Sequence, residues 1–338
     1  MFQPKIVITN ELLSSLINLE VSLALIDNLV VSDEWKSRLK TDSLVRRIGA
    51  MEKFWDSNLK QDDLLKIVRD DPNRDEKTEE LALRLSIVGK EYEVQMVTNW
   101  INANKLVEQI VYLSLKFKQK DFGEKDLIQI NKLLGERMVD PTDLGGFRKQ
   151  SLVENSVIRH PEVVEIAYQL EEIMLWVKST DKQVIHPILR GLYVFAELIR
   201  VRPFLHQNFI TMALFLVLLI ETEGVSFAYC PLEEELFKNK QKLFDLLAKV
   251  DSEENGLTVF LEEMVKLMAA AAEKTRIRIM SLMGDSVKYK SESGKAVALS
   301  ERQVSLMEEL TMRGQMTIKE LRLVLPLVSD DTILRDLK

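Results

Sequence analysis

The residues whose types and spacing could support chemistry lie in one short segment, Arg202-Pro203-Phe204-Leu205-His206-Gln207-Asn208. The largely apolar stretches before and after it predict two buried helices, and a turn between buried helices can present polar groups to a ligand. A guanidinium stays charged at any working pH and cannot accept a proton, whereas the imidazole of His206 could serve as a general base. Three interpretations follow: a structural turn, a non-catalytic site for a ligand or protein, or an altered transfer chemistry.

The other histidines and the single cysteine give weaker signals. His160 and His186 each precede a proline, which is typical of residues at helix starts rather than of ligands. The histidines and the cysteine show no metal-ligand spacing, so no zinc site is predicted. Cys230 has no partner for a disulfide within the chain, which fits a reducing compartment.

Composition and charge point to a helical, cytoplasmic protein. Only 12 glycines and 8 prolines occur among 338 residues, which favours helices over sheets, and the length suggests about two or three domains. The net charge of −7 argues against a globally basic nucleic-acid binder, although a single module could still bind. We find no signal-peptide pattern, and the most apolar run, 209–220, is shorter than the ~18–20 residues that span a bilayer. We therefore expect no membrane contact.

Apolar residues at steps of three and four predict the helices that would position the turn. By residue number, these helices cover 9–31, 44–55, 79–120, 125–137, 161–178, 184–200, 209–222, 231–250 and 257–283. Thr9 is the expected N-cap of the first helix, and residues 102–104 could interrupt the third. Residues 140–161 combine prolines and glycines with alternating apolar residues, which predicts a short β-hairpin.

The last part of the chain predicts a separate unit. A stretch at 284–298 with Gly284, Gly294 and several serines is typical of a linker. Helices are expected after it at 299–312, 317–325 and 330–338, with Ser329 capping the last.

The central segment resembles the signature of the Fic family, which runs His-Pro-Phe-x-Asp/Glu-Gly-Asn-Gly-Arg. Pro203, Phe204 and Asn208 match it, in the order and spacing of the signature. Upstream, Gly146-Phe147-Arg148 resembles the beginning of the family's flap hairpin, and His186-Pro187 resembles the start of the helix that delivers the motif. The resemblance covers residues 5–283 and implies an all-α Fic-fold helical domain with a small β-hairpin flap.

The resemblance also implies an activity, which is transfer of AMP from ATP to a hydroxyl of a target protein (AMPylation). In such nucleotidyltransferases the motif His is the general base, the Asp/Glu holds Mg²⁺, and the glycines and the Arg accommodate the phosphates. The residues found at those positions here are Arg202, His206, Gln207, Phe209 and Ile210. Losing a general base costs about 10²–10⁴-fold in rate, and imidazole suits Mg²⁺ poorly.

We therefore predict a pseudoenzyme with no catalytic residue, cofactor or metal. Its vestigial motif consists of Arg202, Pro203, Phe204, His206 and Asn208, and it would act as a regulatory or interaction protein. The alternative is an active protein adenylyltransferase that uses His206 as base and needs ATP and Mg²⁺.

The end of the chain resembles the first three helices of a winged helix-turn-helix module. The resemblance rests on Leu299–Gln303, Thr317–Leu321 and Ser329–Leu337, and it implies a DNA-binding third helix with Thr332 and Arg335 as contacts. The strands of the wing should follow Leu337, so the wing is missing or truncated. The acidic neighbours Asp330, Asp331 and Asp336 oppose phosphate binding, which leaves protein–protein or dimerising use open.

The predicted organisation is an N-terminal helical region (1–100), a Fic-like core (101–283), a linker (284–298) and a winged-helix-like module (299–338). The flap near 148–158 could hold a protein partner by strand addition, which needs only backbone groups. DNA could bind the last module, and a homodimer is plausible because both domain types often pair in their families.

Overall fold

A computed structural model describes most of the chain. The residues outside the described part are 1–3, 29–32, 55–56, 58, 120, 153–157, 180–184, 251, 292–302, 304–305, 307–308, 311–314, 326–327 and 338. The chain divides into two compact units, residues 1–275 and 276–338.

Residues 4–291 are helical wherever the structure describes regular secondary structure, which confirms the predicted all-α class. The helices are α1 Asn10–Asp27, α2 Asp33–Phe54, α3 Gln61–Asp70, α4 Thr78–Arg84, α5 Glu91–Phe117, α6 Glu124–Gly135, α7 Ile166–Ser179, α8 Pro187–Val201, α9 Asn208–Glu221, α10 Leu232–Lys238, α11 Lys240–Val250 and α12 Gly256–Ser291. Short 3₁₀ turns occupy Pro141–Asp143 and Val163–Glu165. No helix in the described part is long and apolar enough to cross a bilayer.

The pair α8 and α9 forms the centre of the first unit. Every residue from Phe209 to Ile220 is buried, as expected for a helix that is hydrophobic on all sides. The two helices approach closely at Gly191, where a Cβ atom would lie 2.8 Å from Cγ1 of Ile220. Helices α5 and α6 pack on α9 and α7 packs on α8, so the turn between α8 and α9 is held from several directions.

The amino-terminal helices attach to the later part of the unit. Thr9 caps α1 as predicted, because its hydroxyl accepts from the Leu12 amide at 3.1 Å. The Val7 amide donates to the Thr258 hydroxyl at 3.4 Å, which ties the beginning of α1 to α12. Helix α2 packs on α10 through a buried ion pair between Arg47 and Glu233.

Three helix predictions were wrong. Residues 102–104 do not interrupt a helix, since α5 runs through them, and the break lies at 85–90 where Ser86 and Gly89 have positive φ. The predicted helix 231–250 is divided into α10 and α11 at Asn239, whose side-chain Nδ2 donates to the Glu235 carbonyl at 2.9 Å. The predicted linker 284–298 begins within α12, which extends to Ser291.

The helix α3 was not predicted. Its acidic first turn (Asp62, Asp63) and its buried Leu64, Ile67 and Val68 are signals that the sequence does contain. The hairpin predicted at 140–161 stays a prediction, because the described part of that range has no strand and 153–157 lie outside it.

The second unit has a small core of its own. Besides the end of α12, it contains the helices α13 Ile318–Val324 and α14 Asp330–Asp336, and Leu306, Leu321 and Ile333 pack together. Thr317 and Glu320 form a capping box at the start of α13. Ser329 does not cap a backbone amide of α14, contrary to the prediction, because its hydroxyl lies 3.0 Å from that of Thr332.

Candidate functional site

The turn between α8 and α9 contains two residues in the left-handed backbone region. Arg202, which ends α8, has φ 44°, and Gln207, which precedes α9, has φ 58°. Residues other than glycine adopt this conformation at a cost of about 1–3 kcal/mol, and they persist where surrounding contacts hold them. Gln207 stands where the resembled signature has a glycine, so the turn keeps a glycine-like shape without the glycine.

Asn208 closes the turn with both ends of its amide. Its Oδ1 accepts from the Phe204 amide at 3.0 Å, and its Nδ2 donates to the Phe204 carbonyl at 2.7 Å. Both polar groups of this side chain are therefore committed to the backbone of the turn. Asn208 shapes the site and is not free to hold a ligand through those bonds.

Asn131 of α6 supports the same turn from below. It is 2% exposed, and its Nδ2 donates to the His206 carbonyl at 2.9 Å and to the Thr211 hydroxyl at 3.0 Å. Thr211 in turn donates to the Gln207 carbonyl at 2.8 Å. Asn131 was not among the predicted site residues, although a polar residue within the apolar pattern of Leu127, Ile130 and Leu134 is a signal that the sequence contains.

Two of the three residues predicted for the flap, Phe147 and Arg148, lie against the turn, whereas Gly146 is exposed. Nε, Nη1 and Nη2 of the buried Arg148 donate to the carbonyls of Arg202 (3.0 Å), Gln150 (3.1 Å) and Pro161 (2.6 Å). The Arg148 amide donates to the Pro203 carbonyl at 2.8 Å. Phe147, which follows Gly146, packs on Phe204 with ring centroids 6.0 Å apart. The structure thus brings Phe147 and Arg148 together with the predicted motif.

A cleft of about 710 Å³ opens beside the turn, within the range of ligand sites. Its lining includes Tyr92, Met138, Val139, Asp140, Asp143, His160, Ile199, Arg202, Leu205, His206, Gln207, Asn208, Phe209, Ile210 and Phe244. Helix α9 starts there without a side-chain cap from Gln207, and a helix N-terminus carries partial positive charge. The cleft can therefore accept a ligand, with the Arg202 cation and the partial positive charge of this helix start on its wall.

The two histidines of the cleft differ in environment. Nδ1 of the half-buried His160 lies 2.8 Å from the Arg200 carbonyl, and burial lowers its pKa. His206 is about half exposed, and its Nε2 lies 3.9 Å from Oδ2 of Asp143, a long contact between exposed groups. Burial, followed by the nearby charge of Arg202, also lowers the pKa of Arg148.

Phe209 and Ile210, which stand where the resembled signature has its second glycine and its arginine, belong to the core. Phe209 packs on Phe195, Phe237 and Phe244 with ring centroids 6.1, 5.4 and 5.7 Å apart. Ile210 is 2% exposed. These positions now contribute packing and carry no charge toward the cleft.

Cys230 and the carboxylates offer no further chemistry in the part of the chain that the structure describes. Burial raises the pKa of the Cys230 thiol to about 12, so it is not a thiolate at neutral pH. Among the described residues, no group of three or more His, Cys, Asp or Glu side chains is arranged to hold a metal ion.

Lowering the pH is expected to remove stability through His160. Burial lowers its pKa, the hydrogen bond to the Arg200 carbonyl opposes this, and the charges of Arg202, Arg148 and Arg200 add to the lowering. The unfolded chain, with its histidine pKa near 6.5, binds more protons than the folded protein. The stability that neutral His160 contributes is therefore fully present above about pH 6.5, and it is lost as the pH falls from there through the lower folded-state pKa.

Urea unfolding at about pH 7.5 and 5.5 checks this prediction. The loss of stability between the two pH values should be smaller in His160→Gln than in the unaltered protein. His206→Gln, at the exposed histidine of the same cleft, is the matched control. An equal loss in His160→Gln and in the unaltered protein would contradict the prediction.

The helical arrangement and the clamped turn define the class: the chain has the Fic fold. It is similar, with a TM-score of 0.61 and 17% identity, to a Fic family protein from Desulfovibrio desulfuricans G20, over 99% of this chain and 90% of the other. A Fic domain-containing signaling protein from Bacteroides thetaiotaomicron VPI-5482 matches with a TM-score of 0.56 and 12% identity, over 84% and 99%. Fic-1 (residues 134–508) from C. elegans matches with a TM-score of 0.58 and 17% identity, over 81% and 73%. No sequence-family model matches the chain.

Proposed function

We propose that this Fic-fold protein has lost AMP transfer and acts as a regulatory or interaction protein. The observation that supports this is the position of Arg202, a permanent cation on the cleft wall where the resembled signature has its proton acceptor. Its backbone is fixed by bonds to Arg148 and to the end of α8. The frame of the site is maintained while the group that would start the reaction is absent.

The other replacements favour the same conclusion. The carboxylate expected to hold Mg²⁺ is replaced by His206, and the arginine expected to neutralise phosphate is replaced by the buried Ile210. Hard cations prefer oxygen ligands, and phosphate transfer requires charge neutralisation. Restoring activity would need several simultaneous changes, since each missing group serves a separate requirement.

The second candidate function is protein adenylyl transfer with His206 as general base. The observation in its favour is that His206 lines the cleft within 3.9 Å of Asp143, which could orient the imidazole. Both side chains are about half exposed, so the pair lacks the burial that holds a catalytic base in place.

ATP binding and self-labelling separate the two candidates. With ATP labelled at the α-phosphate, the full chain is expected to incorporate no label, and calorimetry should show no tightening of ATP binding by Mg²⁺, because the base and the metal ligand are absent. The positive control restores the signature with Arg202→His, His206→Asp, Gln207→Gly and Ile210→Arg while leaving Phe209 in the core. Incorporation of label by the unaltered chain that His206→Ala abolishes would establish the second candidate instead.

The proposed interaction role includes the flap. Backbone groups of the segment 148–158, of which 153–157 lie outside the described residues, could pair with an extended partner strand. Arg148 fixes one end of this segment to the turn, which supports a rigid base for such pairing. A proline at Ser151 or Leu152 should abolish capture of a partner that binds there, and unchanged capture would exclude this surface.

DNA binding remains a separate proposal for the unit 276–338. Arg335 is exposed on α14, one helical turn from Thr332, whereas Asp330 and Asp331 begin the same helix. A salt-sensitive gel shift that Arg335→Ala weakens would support DNA contact. Absence of any shift with the full chain would leave protein contact as the use of this unit.

A further inference from the structure

The guanidinium of Arg202 is a partly buried cation without a counter-charge. It lines the cleft, and it forms no hydrogen bond or ion pair with any residue that the structure describes. Burial lowers the pKa values of Arg148 and His160, and the charge of Arg202 lowers both further. The positive charge of Arg202 therefore acts on two neighbouring groups that gain or hold a proton less easily because of it.

The carboxylates of the adjacent segments are engaged elsewhere. Glu197 of α8 accepts from Nε and Nη2 of Arg200 at 2.9 and 2.7 Å. Glu162 is exposed, and its Oε2 accepts from the Ser151 hydroxyl at 3.1 Å. Neither forms an ion pair with Arg202 in the described part of the chain. An uncompensated cation on the wall of a cleft is favourable where a ligand supplies the missing negative charge.

The other charges of the cleft limit how negative that ligand can be. Asp140 and Asp143 line the same cleft. Asp140 accepts from the Thr142 amide and hydroxyl at 2.9 and 2.7 Å, and these bonds lower its pKa, so it is a carboxylate at neutral pH. These two side chains oppose a polyphosphate, whereas a ligand with one negative charge needs only Arg202. A carboxylate is such a group, and a guanidinium can bind it through two parallel hydrogen bonds.

The flap segment beside the turn indicates that the carboxylate belongs to a protein. Arg148 holds this segment against the Arg202 carbonyl. Lys149, Gln150 and Ser151 follow, all of them exposed, and their backbone amides donate to no described residue. An extended partner can pair with such amides. Because side chains alternate in direction along an extended chain, one of them can then point into the cleft next to Arg202.

We propose that the cleft binds an Asp or Glu side chain of an extended segment of a partner protein, with the Arg202 guanidinium as its counter-charge. This inference rests on the proposed interaction function and assigns the chemistry of the partner. Ile199, Leu205 and Phe244 line the same cleft. They would contact the hydrocarbon part of the bound segment and exclude water, which strengthens an ion pair.

Selection of random peptides displayed on phage against the full chain tests this inference, with a parallel selection against Arg202→Glu. Peptides enriched by the unaltered chain should share an Asp or Glu at one aligned position, because only an acidic group is complementary to Arg202. The Arg202→Glu chain should enrich Lys or Arg there instead. Arg159→Glu reverses an exposed charge of the same segment; it is the matched control and should keep the acidic preference.

Fluorescence polarisation with one enriched peptide measures the contribution of the pair. Alanine in place of the acidic residue of the peptide, or Arg202→Asn in the chain, should weaken binding about 10- to 100-fold. Asparagine adopts the left-handed backbone of Arg202 more readily than most residues, so this variant decides the case if Arg202→Glu does not fold. Both changes together should weaken binding little more than either change alone, because they remove the same contact.

Three outcomes would overturn the inference: no enriched peptide, enriched peptides without a shared acidic residue, or fully additive losses from the two changes. If the unaltered chain also incorporates no label from ATP, such an outcome contradicts only the acidic partner and leaves the proposed interaction function in place. Incorporation of label would contradict the proposed function itself, so the two failures are distinguishable.

Discussion

Replacing Arg47 with methionine is expected to lower the free energy of unfolding by about 3–5 kcal/mol. Nε and Nη2 of Arg47 donate to the two carboxylate oxygens of Glu233 at 2.8 and 2.7 Å, and both side chains are buried. Burial alone would lower the pKa of Arg47, but Glu233, followed by Glu221 and Glu108, raises it. Without the guanidinium, Glu233 would remain as a buried and unpaired carboxylate between α2 and α10.

Urea unfolding measures this loss, and two variants make the result specific. Arg46→Met breaks the neighbouring pair with Glu234, which is about one-fifth exposed, and should cost about 1 kcal/mol or less. The double variant Arg47→Met/Glu233→Leu should recover most of the loss, because it removes both charges.

The pH dependence of Arg47→Met provides a further check. Burial without a partner would raise the folded-state pKa of Glu233. The folded variant is then more stable with Glu233 protonated than ionised, so its stability falls as the pH rises through that pKa. The deficit relative to the unaltered protein should therefore be larger at about pH 8 than at about pH 5. A deficit no larger than that of Arg46→Met would show that the buried pair does not anchor α2.

The helices around the site could be predicted because their signals are local. Helix α9 is apolar from Phe209 to Ile220 except at Thr211, and the segment 202–208, which contains four polar residues, separates it from the apolar helix α8. The cap at Thr9 is equally local, because a threonine just before a helical pattern of apolar residues can accept a hydrogen bond from a free backbone amide of the first turn.

The wrong helix break had a physical cause. Residues 102–104 contain two asparagines, which are poor helix formers, but Asn104 directs its amide to Glu108 at 3.0 Å. It therefore does not compete for backbone bonds. The actual break at 85–90 depends on the positive φ of Ser86 and Gly89. The spacing of apolar residues does not indicate that a serine will adopt this conformation.

The contacts that hold the site could not be predicted, because their partners are distant in sequence. Asn131 bonds the backbone of His206, 75 positions later, and Arg148 bonds the carbonyl of Arg202, 54 positions later. Resemblance to the Fic signature located Arg148 and the motif separately. Only the fold shows that Arg148 binds the carbonyl of the residue that replaces the proton acceptor.

Replacing Arg148 with alanine is expected to destabilise the protein by about 2–4 kcal/mol and to loosen the turn 202–208. The guanidinium donates to three carbonyl oxygens that belong to separate segments, those of Arg202, Gln150 and Pro161. Hydrogen bonds from a charged donor contribute more than neutral ones, and a buried carbonyl left without its donor is costly. The left-handed backbone of Arg202 would then lose one of the contacts that stabilise it.

Arg148→Lys distinguishes loss of charge from loss of geometry. A lysine keeps the cation, but its single ammonium group cannot reproduce the planar fork of donors that reaches three carbonyls. We expect it to recover less than half of the stability. Arg159→Ala, at an exposed arginine of the same segment, should change stability by no more than about 0.5 kcal/mol.

Hydrogen–deuterium exchange locates the effect of Arg148→Ala. Amides of residues 202–208 should lose more protection than those in the middle of α9, such as Leu214 and Leu218, whose protection should fall by no more than the global loss of stability. A variant that loses stability while the turn exchanges at its original rate would mean that Arg148 supports only the segment 148–161. Because the cleft wall includes Arg202 and His206, faster exchange there should be accompanied by weaker binding of any ligand of the cleft.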